Sequence, residues 1–249
     1  MSGQRKTAVI TGGSEGIGFA LAECFARDGY DIVLCARNEE KLQRAAAKLQ
    51  AYGTQVRTIA LDLTAENAPE ELFARCPDAD VLVNNAGTGA NGLLWQVPQE
   101  VSRQITKLNI EVPLALMKLY LKRMCERGAG EIINLGSTGA FQPGPYIAEY
   151  YASKSYILSI SQAADLEAKQ YGVRVYCFSP GPTATAFYAK TGGHMPSFAM
   201  SAEEAARYMY AHRGGKCVVV PGLINRLARL APQGMRSRFV MASKKKHLK

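Results

Sequence analysis

Two alternating patterns of apolar and polar positions run through the chain. Short runs of β-branched and other apolar residues predict buried strands, at positions 6–11, 31–36, 55–60, 79–83, 131–135, 173–178 and 216–220. The stretches between them place apolar residues three and four positions apart, as at Leu42, Ala45 and Leu49, which predicts amphipathic helices. Because strands that alternate with helices form right-handed βαβ units, the pattern predicts an α/β fold with a parallel sheet.

The length of the chain and the limits of these patterns indicate one domain. The 249 residues are 47% hydrophobic, which is enough for one large core. We expect a single domain over 1–221 and a C-terminal extension over 222–249. Within the domain, 99–127 predicts one or two helices, with Pro113 opening or kinking a helix. The segment 184–212, weakly periodic in its first part, is expected to contain a lid over a substrate site.

A glycine-rich turn joins the first predicted strand to the first predicted helix. Glycines let backbone N–H groups come close to a pyrophosphate, and a helix N-terminus adds partial positive charge. An ordinary tight turn is the alternative. We expect a dinucleotide to contact the residues of this turn, which are Gly12, Ser14, Glu15, Gly16, Ile17 and Gly18.

The end of the second predicted strand bears on the choice of dinucleotide. At this place a dinucleotide site contacts the adenosine ribose. An acidic residue there hydrogen-bonds the 2′-hydroxyl of NAD, whereas an arginine binds the 2′-phosphate of NADP. The chain has Arg37 followed by Asn38, whereas Asp31 stands at the start of the strand, roughly 16 Å away. The sequence therefore favours NADP(H), with a solvated loop arginine as the alternative.

Polar residues also follow the third and fourth predicted strands. Asp62, before Leu63, is expected either to accept a hydrogen bond from an adenine or to cap the next helix. Asn84, Asn85, Ala86 and Gly87 fit the wall of a nucleotide cleft, and they also fit turn chemistry alone. Both interpretations stay open for each segment.

Three residues near the middle of the chain suggest proton transfer. Tyr150 and Lys154 lie four positions apart in a helical pattern, so both side chains share one helix face and Tyr151 points elsewhere. Ser137 follows the fifth predicted strand, at the edge where open α/β sheets bind ligands. A tyrosine acting near neutrality needs its pKa lowered by roughly 3 units, to which the ammonium of Lys154 can contribute. A packed tyrosine beside a solvated lysine is the alternative.

Taken together, these segments resemble the short-chain dehydrogenase/reductase family over most of 6–221. The matching residues, in chain order, are Thr11-Gly12-x-x-x-Gly16-x-Gly18, Asp62, Asn84-Asn85-Ala86-Gly87, Asn109, Ser137, Tyr150-x-x-x-Lys154, Pro180-Gly181 and Thr185. The resemblance implies a three-layer Rossmann fold, with a doubly wound, parallel, seven-stranded sheet and helices on both faces. One position departs from some NADP-specific members, which carry a basic residue where this chain has Glu15.

The resemblance also implies roles for individual residues. Tyr150 would be the general acid or base, and Ser137 would orient the substrate carbonyl. Lys154 would lower the pKa of Tyr150 and hold the nicotinamide ribose, and Asn109 would hold a relay water. The cofactor would contact residues along the whole motif series, namely Gly12, Ser14, Glu15, Gly16, Ile17, Gly18, Arg37, Asn38, Asp62, Leu63, Asn85, Ala86, Gly87, Tyr150, Lys154, Pro180, Gly181, Thr183 and Thr185. No residue is expected to bind a metal.

The implied activity is NADP(H)-dependent interconversion of a ketone and a secondary alcohol, in the direction of carbonyl reduction. The resemblance extends weakly to the ketoacyl and hydroxysteroid reductases, and a steroid, ketoacyl or aryl ketone would suit an apolar pocket. We expect that pocket to be lined by Ser137, Gly139, Phe141, Tyr146, Tyr150, Phe187 and Tyr188, with Met195, Phe198 and Met200 nearby. An epimerase or dehydratase on the same fold is the alternative.

The net charge of +9 belongs almost entirely to the extension. Residues 222–249 contain eight lysines and arginines and no acidic residue, including Lys244, Lys245 and Lys246. Apolar residues recur there at helical spacing, at Leu223, Ile224, Leu227 and Leu230. The segment therefore predicts either an amphipathic helix that contacts an anionic membrane or a surface helix with a solvated tail. Nucleic-acid binding is not expected, because no aromatic residues lie within the lysine cluster.

The remaining expectations concern location and assembly. The six cysteines are widely spaced and no run of 18 apolar residues occurs, which is typical of a reduced, cytoplasmic protein. The glycine turn follows the N-terminus too soon for a secretory signal. The family resemblance implies a small carbonyl or alcohol substrate and a homodimer or homotetramer, formed through helices near 101–127 and 151–170.

Overall fold

The computed structural model describes residues 5–191 and 195–245. Its first half contains four strands and three helices in strict alternation: β1 (Thr7–Thr11), α1 (Gly16–Arg27), β2 (Asp31–Ala36), α2 (Glu39–Gln50), β3 (Val56–Ala60), α3 (Ala68–Arg75) and β4 (Val81–Asn84). The second half continues with α4 (Gln99–Thr106), α5 (Val112–Arg127), β5 (Gly130–Leu135), α6 (Ala148–Ala168) and β6 (Val173–Phe178). It ends with β7 (Thr183–Ala184), α7 (Phe187–Lys190), β8 (Met200–Ser201), α8 (Ala202–Ala211), β9 (Val218–Val219), α9 (Leu223–Ala228) and α10 (Gln233–Lys245).

Seven of these strands form one parallel sheet with the order β3-β2-β1-β4-β5-β6-β9. Successive residues of β1 point to opposite faces, so that Ala8 and Ile10 join one core cluster and Val9 joins the other. The first cluster includes α1, α2 and α8, and the second includes α3, α5 and α6. The predicted doubly wound Rossmann sheet with helices on both faces is confirmed.

The helical region before β5 consists of two helices. One π-helical turn, Lys107–Glu111, joins α4 to α5, and Pro113 lies in the first turn of α5. The prediction of one or two helices with Pro113 at an opening is confirmed. The turn also places the buried side chain of Asn109 towards the sheet edge.

The last part of the predicted lid region belongs to the core. Helix α8 begins with a capping box formed by Ser201 and Glu204, and its residues Ala205, Ala206 and Met209 are completely buried in the same cluster as α1. The expectation that the lid reaches residue 212 was wrong, because burial of that apolar face fixes α8 to the sheet. A lid over 184–201 stays a prediction.

The C-terminal extension forms two helices, α9 and α10, rather than one. Most of its large apolar side chains are exposed, namely Leu223, Ile224, Leu227, Leu230, Met235, Phe239 and Met241. Lys246 and Lys249 lie outside the described residues. Within the described ranges, no helix is long and apolar enough to cross a membrane.

Candidate active site

A cleft of about 430 Å³ lies at the carboxyl edge of the sheet. Its walls come from the turns that follow β1, β2, β3, β4, β5 and β6, together with α7. The strand order reverses between β1 and β4, and open α/β sheets bind ligands outside the strand ends at such a switch point. The sheet topology therefore predicts a ligand site here without reference to any side chain.

The glycine turn forms one end of the cleft. Gly12 and Gly16 have φ angles of 64° and 59°, in the left-handed region that a side chain rarely adopts. A Cβ atom on Gly12 would lie 2.7 Å from Nδ2 of Asn85. The side chain of Glu15, the residue before α1, makes no capping hydrogen bond, so N–H groups of the first turn can donate to an anionic ligand.

Gly18 has a different role from its neighbours. It is buried and does not line the cleft, which corrects its predicted contact with the cofactor. A Cβ atom there would lie 2.3 Å from Nδ2 of Asn85 and 2.6 Å from the carbonyl oxygen of Gly12. Gly18 therefore allows α1 to pack closely against the turn.

Side-chain hydrogen bonds fix the glycine turn to the end of β4. Nδ2 of Asn85 donates to the carbonyl oxygens of Thr11 (2.9 Å) and Gly12 (3.0 Å). The hydroxyl of Thr11 accepts from the backbone N–H groups of Asn85 (3.0 Å) and Ala86 (3.1 Å) and donates to Val83 O (3.2 Å). Asn85, Ala86 and Gly87 line the cleft, but the amide of Asn85 is used to hold the cleft in shape.

Two cations line the end of the cleft near β2. Arg37 is exposed, and the side chain of Asn38 caps α2 by accepting from Lys41 N at 2.8 Å. Lys41, in the first turn of α2, donates from Nζ to Oε2 of Glu15 at 2.8 Å. Lys41 is absent from the sequence-based predictions, because its contact with Glu15 joins two segments that are distant in the chain.

Asp62 caps the turn that follows β3. Its Oδ1 accepts from the backbone N–H (3.0 Å) and the hydroxyl (2.7 Å) of Thr64. Burial acts to raise the pKa of Asp62, but these two hydrogen bonds and the charge of Arg37 outweigh it, so the pKa lies below its ordinary value. Asp62 does not cap the next helix, because the N-cap residue of α3 is Asn67, so that alternative was wrong. A contact with adenine stays a prediction.

Tyr150, Ser137 and Lys154 meet at the opposite end of the cleft. Helix α6 carries Tyr150 and Lys154 one turn apart, and Ser137 follows β5. Burial raises the pKa of Tyr150 far above its ordinary value of 10.0, and the hydrogen bond with Ser137 lowers it in part. The phenol is therefore held in its neutral form.

Lys154 is almost completely buried, and its Nζ donates to Leu135 O at 2.6 Å. Nζ also lies 5.7 Å from the ring centroid of Tyr150. Burial lowers the pKa of Lys154 to about 8, so the ammonium form still predominates at neutral pH. The ammonium donates to the carbonyl at the end of β5 rather than to the phenol, and its expected lowering of the Tyr150 pKa stays a prediction.

Asn109 has no remaining amide hydrogen for a relay water. Its Nδ2 donates to Thr88 O (2.8 Å) and to Oγ of Ser153 (3.0 Å), while its Oδ1 accepts from Thr88 N (2.9 Å). The side chain thus joins the loop after β4 to α6. Its role in holding a water stays a prediction, which would need the backbone or the second lone pair of Oδ1.

Several predicted substrate residues do not line the cleft. Gly139 and Gly144 lie under the ring of Tyr151, and a Cβ atom on Gly139 would be 2.8 Å from that ring. Phe141 is covered by the guanidinium of Arg229, which lies 3.8 Å from its ring centroid. Tyr146 belongs to the loop before α6, where its carbonyl oxygen accepts from Gly92 N. Tyr151 itself lines the cleft, so the expectation that it points elsewhere was wrong.

Helix α7 supplies the apolar wall beside Tyr150. The ring of Phe187 lies 5.1 Å from that of Tyr150, and Tyr188 also lines the cleft. Gly89 lies against both rings, since a Cβ atom there would be 3.2 Å from Tyr150 and 3.3 Å from Phe187. Met195 and Phe198 are exposed, and Met200 packs against the core, so the three are absent from the cleft wall.

The extension also reaches the cleft. Lys244 of α10 lines it, and burial lowers the pKa of this lysine. The turn after β6 is fixed in the same region, because a Cβ atom on Gly181 would lie 2.5 Å from the amide of Asn225 in α9. Pro180, Gly181, Thr183 and Thr185 line the cleft as expected from sequence, whereas the contribution of Lys244 was not foreseen.

The cleft fits an extended dinucleotide. It offers uncapped helix N–H groups beside a turn whose glycines leave no room for side chains, and cations stand at the end of β2. Tyr150 and Lys154 lie at the far end, after β5. Anionic groups in the middle and at one end would therefore meet donors and cations, and a reactive group at the other end would meet a neutral phenol.

Comparison with known proteins identifies the family. The model of the short chain dehydrogenase family matches residues 6–196. The 1-deoxy-11-beta-hydroxypentalenate dehydrogenase of Streptomyces exfoliatus is 36% identical over 189 residues, which cover 73% of this chain and 69% of that protein.

Solved structures agree over a longer stretch. A short-chain dehydrogenase from Sphingobium yanoikuyae in complex with NADPH is 30% identical, with a TM-score of 0.85 and coverage of 95% of each chain. The bulky-bulky ketone specific alcohol dehydrogenase from Comamonas testosteroni is 27% identical, with a TM-score of 0.81 and coverage of 95% of this chain and 94% of that one. The chain is therefore a member of the short-chain dehydrogenase family of oxidoreductases.

Proposed function

We propose that the protein is an NADP(H)-dependent oxidoreductase that interconverts a ketone and a secondary alcohol, with carbonyl reduction as its main direction. The observation that carries the proposal is the position of Tyr150, whose half-buried side chain lies beside Ser137 at the far end of a dinucleotide-shaped cleft. A proton donor at this place fits the reduction of a ketone, in which the carbonyl oxygen of the substrate gains a proton.

The residues of the cleft divide the chemistry between them. A bound nicotinamide dinucleotide would supply or accept the hydride at the substrate carbon. Ser137 and Tyr150 bind the substrate oxygen, and Tyr150 gives its phenolic proton to that oxygen as negative charge develops on it. Lys154, held by Leu135 O, places a positive charge behind Tyr150 and stabilises the phenolate that remains. Phe187 covers the ring of Tyr150 and limits the access of water.

The pKa of Tyr150 supports the direction of reduction. A phenol whose pKa is raised by burial stays protonated across the neutral range, and only the protonated form can donate to a developing alkoxide. Alcohol oxidation would need the phenolate, which burial disfavours. Cells commonly keep NADP(H) reduced, so the cofactor and the proton donor favour the same direction.

The preference for NADP(H) rests on the charges at the end of β2. Arg37 lines the cleft on an exposed loop, and Lys41 stands one helical turn further along the chain. Glu15 takes the place of the basic residue found in some NADP-specific members, but its carboxylate is held by Lys41. Guanidinium groups bind phosphate with paired hydrogen bonds, so Arg37 is the residue best suited to a 2′-phosphate.

The part of the substrate around the ketone is proposed to be apolar. Phe187, Tyr188, Ile147 and Tyr151 form the wall around Tyr150, and no carboxylate among the described residues lines that end of the cleft. The similar protein from Comamonas testosteroni is described as specific for bulky-bulky ketones, which agrees with an apolar pocket of this kind. A homodimer or homotetramer, a small-molecule substrate and a cytoplasmic location belong to the same proposal.

A second candidate role belongs to the outer surface of the extension. Within 222–245, six lysines and arginines and no acidic residue accompany seven exposed large apolar side chains. Such a surface combines apolar insertion with attraction to negative charge, so we propose peripheral contact with an anionic membrane. This contact would place the cleft mouth, where Lys244 lies, near lipid-soluble ketones.

Replacing the proton donor tests the mechanism. We expect Tyr150→Phe to reduce kcat for ketone reduction by about 10²- to 10⁴-fold, because the transferable proton is lost while the ring packing is kept. NADPH binding, measured by fluorescence titration, is expected to stay within about twofold of the wild type. Tyr151→Phe is the matched control and should keep most activity, because the ring of Tyr151, rather than its hydroxyl, packs on Gly139 and Gly144. Equal losses in the two variants would contradict the assignment.

Replacing the cation at the end of β2 tests the choice of cofactor. We expect Arg37→Ala to weaken NADPH binding by about tenfold to a hundredfold and to leave NADH binding nearly unchanged, because only NADPH carries the 2′-phosphate. Arg44→Ala is the control, since Arg44 lies on the same helix as Lys41 and pairs with Glu40 at the surface. A similar loss of affinity for both cofactors in Arg37→Ala would show that Arg37 does not bind the 2′-phosphate.

Co-sedimentation with lipid vesicles tests the second role. We expect the protein to bind phosphatidylglycerol-containing vesicles, to bind pure phosphatidylcholine vesicles weakly, and to be released by high salt. The double variant Ile224→Ser/Leu230→Ser should lose this binding, whereas Leu166→Ser, an equally exposed leucine on α6, should keep it. Failure to bind anionic vesicles, or self-association through the same side chains without lipid binding, would contradict membrane contact.

A further inference from the structure

Helix α10 packs on the domain with its charged face rather than its apolar face. Arg236, Val240 and Lys244 lie four residues apart and so share one side of the helix. Val240 is buried, Lys244 lines the cleft, and Nη1 of Arg236 donates to Oε1 of Gln142 at 3.1 Å. Phe239, by contrast, is 70% exposed. A surface helix ordinarily buries its apolar face and exposes its charged face. The inward position of Arg236 and Lys244 therefore indicates a role other than packing.

A second arginine of the extension joins Arg236. Arg229, at the end of α9, places its guanidinium 3.8 Å from the ring centroid of Phe141. Burial and the nearby charge of Arg236 lower the pKa of Arg229, so the two guanidinium charges repel each other. Phe141 and Gln142 end the short helical segment that begins after Ser137. Both arginines therefore contact the segment that follows Ser137, just outside the residues that line the cleft.

The charge of this pair is not compensated by the protein. Among the described residues, no carboxylate forms an ion pair with Arg229, Arg236 or Lys244. The buried Nε of Arg236 has no hydrogen-bond partner in the described part of the chain. Two neighbouring cations repel each other, and a buried donor without an acceptor costs free energy, so both features favour an anionic ligand between them.

We propose that Arg229 and Arg236 bind an anionic oxygen group of the substrate, a carboxylate or a phosphate, while the ketone of the same molecule lies at Tyr150. Guanidinium groups match the paired oxygens of either anion. The segment from Ser137 to Phe141 is on the order of 8 Å long, which sets the separation of ketone and anion. Lys244 stands further along α10, at roughly 12 Å from Arg236, and adds a positive charge beside the cleft.

This inference deepens the proposed function, since it assumes that a ketone is reduced at Tyr150. Its test uses three matched aryl ketones whose alkyl chain ends in a carboxylate, its methyl ester or a phosphate monoester, at roughly the stated separation. Steady-state reduction by the full-length protein with NADPH is measured for each. We expect the anionic ketones to have KM values about tenfold or more below that of the ester. The anionic ketone with the lower KM shows whether the site prefers a carboxylate or a phosphate.

Variants of the extension then locate the effect. Arg236→Ala and the more conservative Arg236→Gln should remove most of the preference for anionic over esterified ketone, and Arg229→Ala should reduce it. Arg238→Ala is the matched control, because Arg238 is exposed on the opposite side of the same helix. Equal KM values for ester and anions in the wild type, or a preference that survives Arg229→Ala/Arg236→Ala, would overturn the inference.

A binding measurement separates this inference from the proposed function. The alkyl carboxylate and alkyl phosphate without a ketone are titrated into the protein by calorimetry, where no turnover is needed. Saturable binding that is lost in Arg236→Gln supports the anion site even when none of the ketones is reduced, and in that case the proposed function is the part that fails. Absence of binding together with turnover of the ester would refute the anion site alone.

Discussion

The cleft depends on the hydrogen bonds that join the ends of β1 and β4. A parallel sheet has a crevice where the strand order reverses, here between β1 and β4. Five hydrogen bonds from the hydroxyl of Thr11 and the amide of Asn85 join the two strand ends at the base of this crevice. At about 1 kcal/mol each, these bonds hold a glycine turn that has almost no side chains of its own for packing. Gly18 completes the arrangement, because only a residue without Cβ lets α1 approach Asn85. The position of the N–H groups at the glycine turn thus depends on the hydrogen bonds of Thr11 and Asn85.

The catalytic end is organised by a second set of internal contacts. Asn109 joins the loop after β4 to Ser153 of α6, and Lys154 joins α6 to the end of β5. Tyr150 lies between these two points, so its ring is held by the helix, by Phe187 and by the loop at Gly89. The extension adds a further layer, since Arg229 and Arg236 attach it to the segment after Ser137. Both ends of the cleft are therefore preorganised by contacts between segments that are distant in the chain.

The sequence predicted the sheet and the chain order of the motifs, because strands and glycine turns depend on local patterns. It also predicted that Pro113 would open or kink a helix. It did not predict the hydrogen bonds of two amides: that of Asn85 donates to backbone carbonyls, and that of Asn109 donates to Thr88 O and Ser153 Oγ, which only the folded chain reveals. The same limit explains the errors at Tyr151 and Phe141. Helical spacing shows which side chains share a face, but it does not show that Arg229 would cover Phe141 from 88 positions further along.

The most direct test of the account is equilibrium binding of NADPH and NADH to the purified protein, followed by the fluorescence of the reduced nicotinamide. The account predicts saturable binding of both cofactors, with NADPH bound about tenfold or more tightly, because Arg37 and Lys41 stand at the ribose end of the cleft. Failure of both cofactors to bind would contradict the assignment of the cleft as a dinucleotide site. Tighter binding of NADH would contradict the assignment of its charged end.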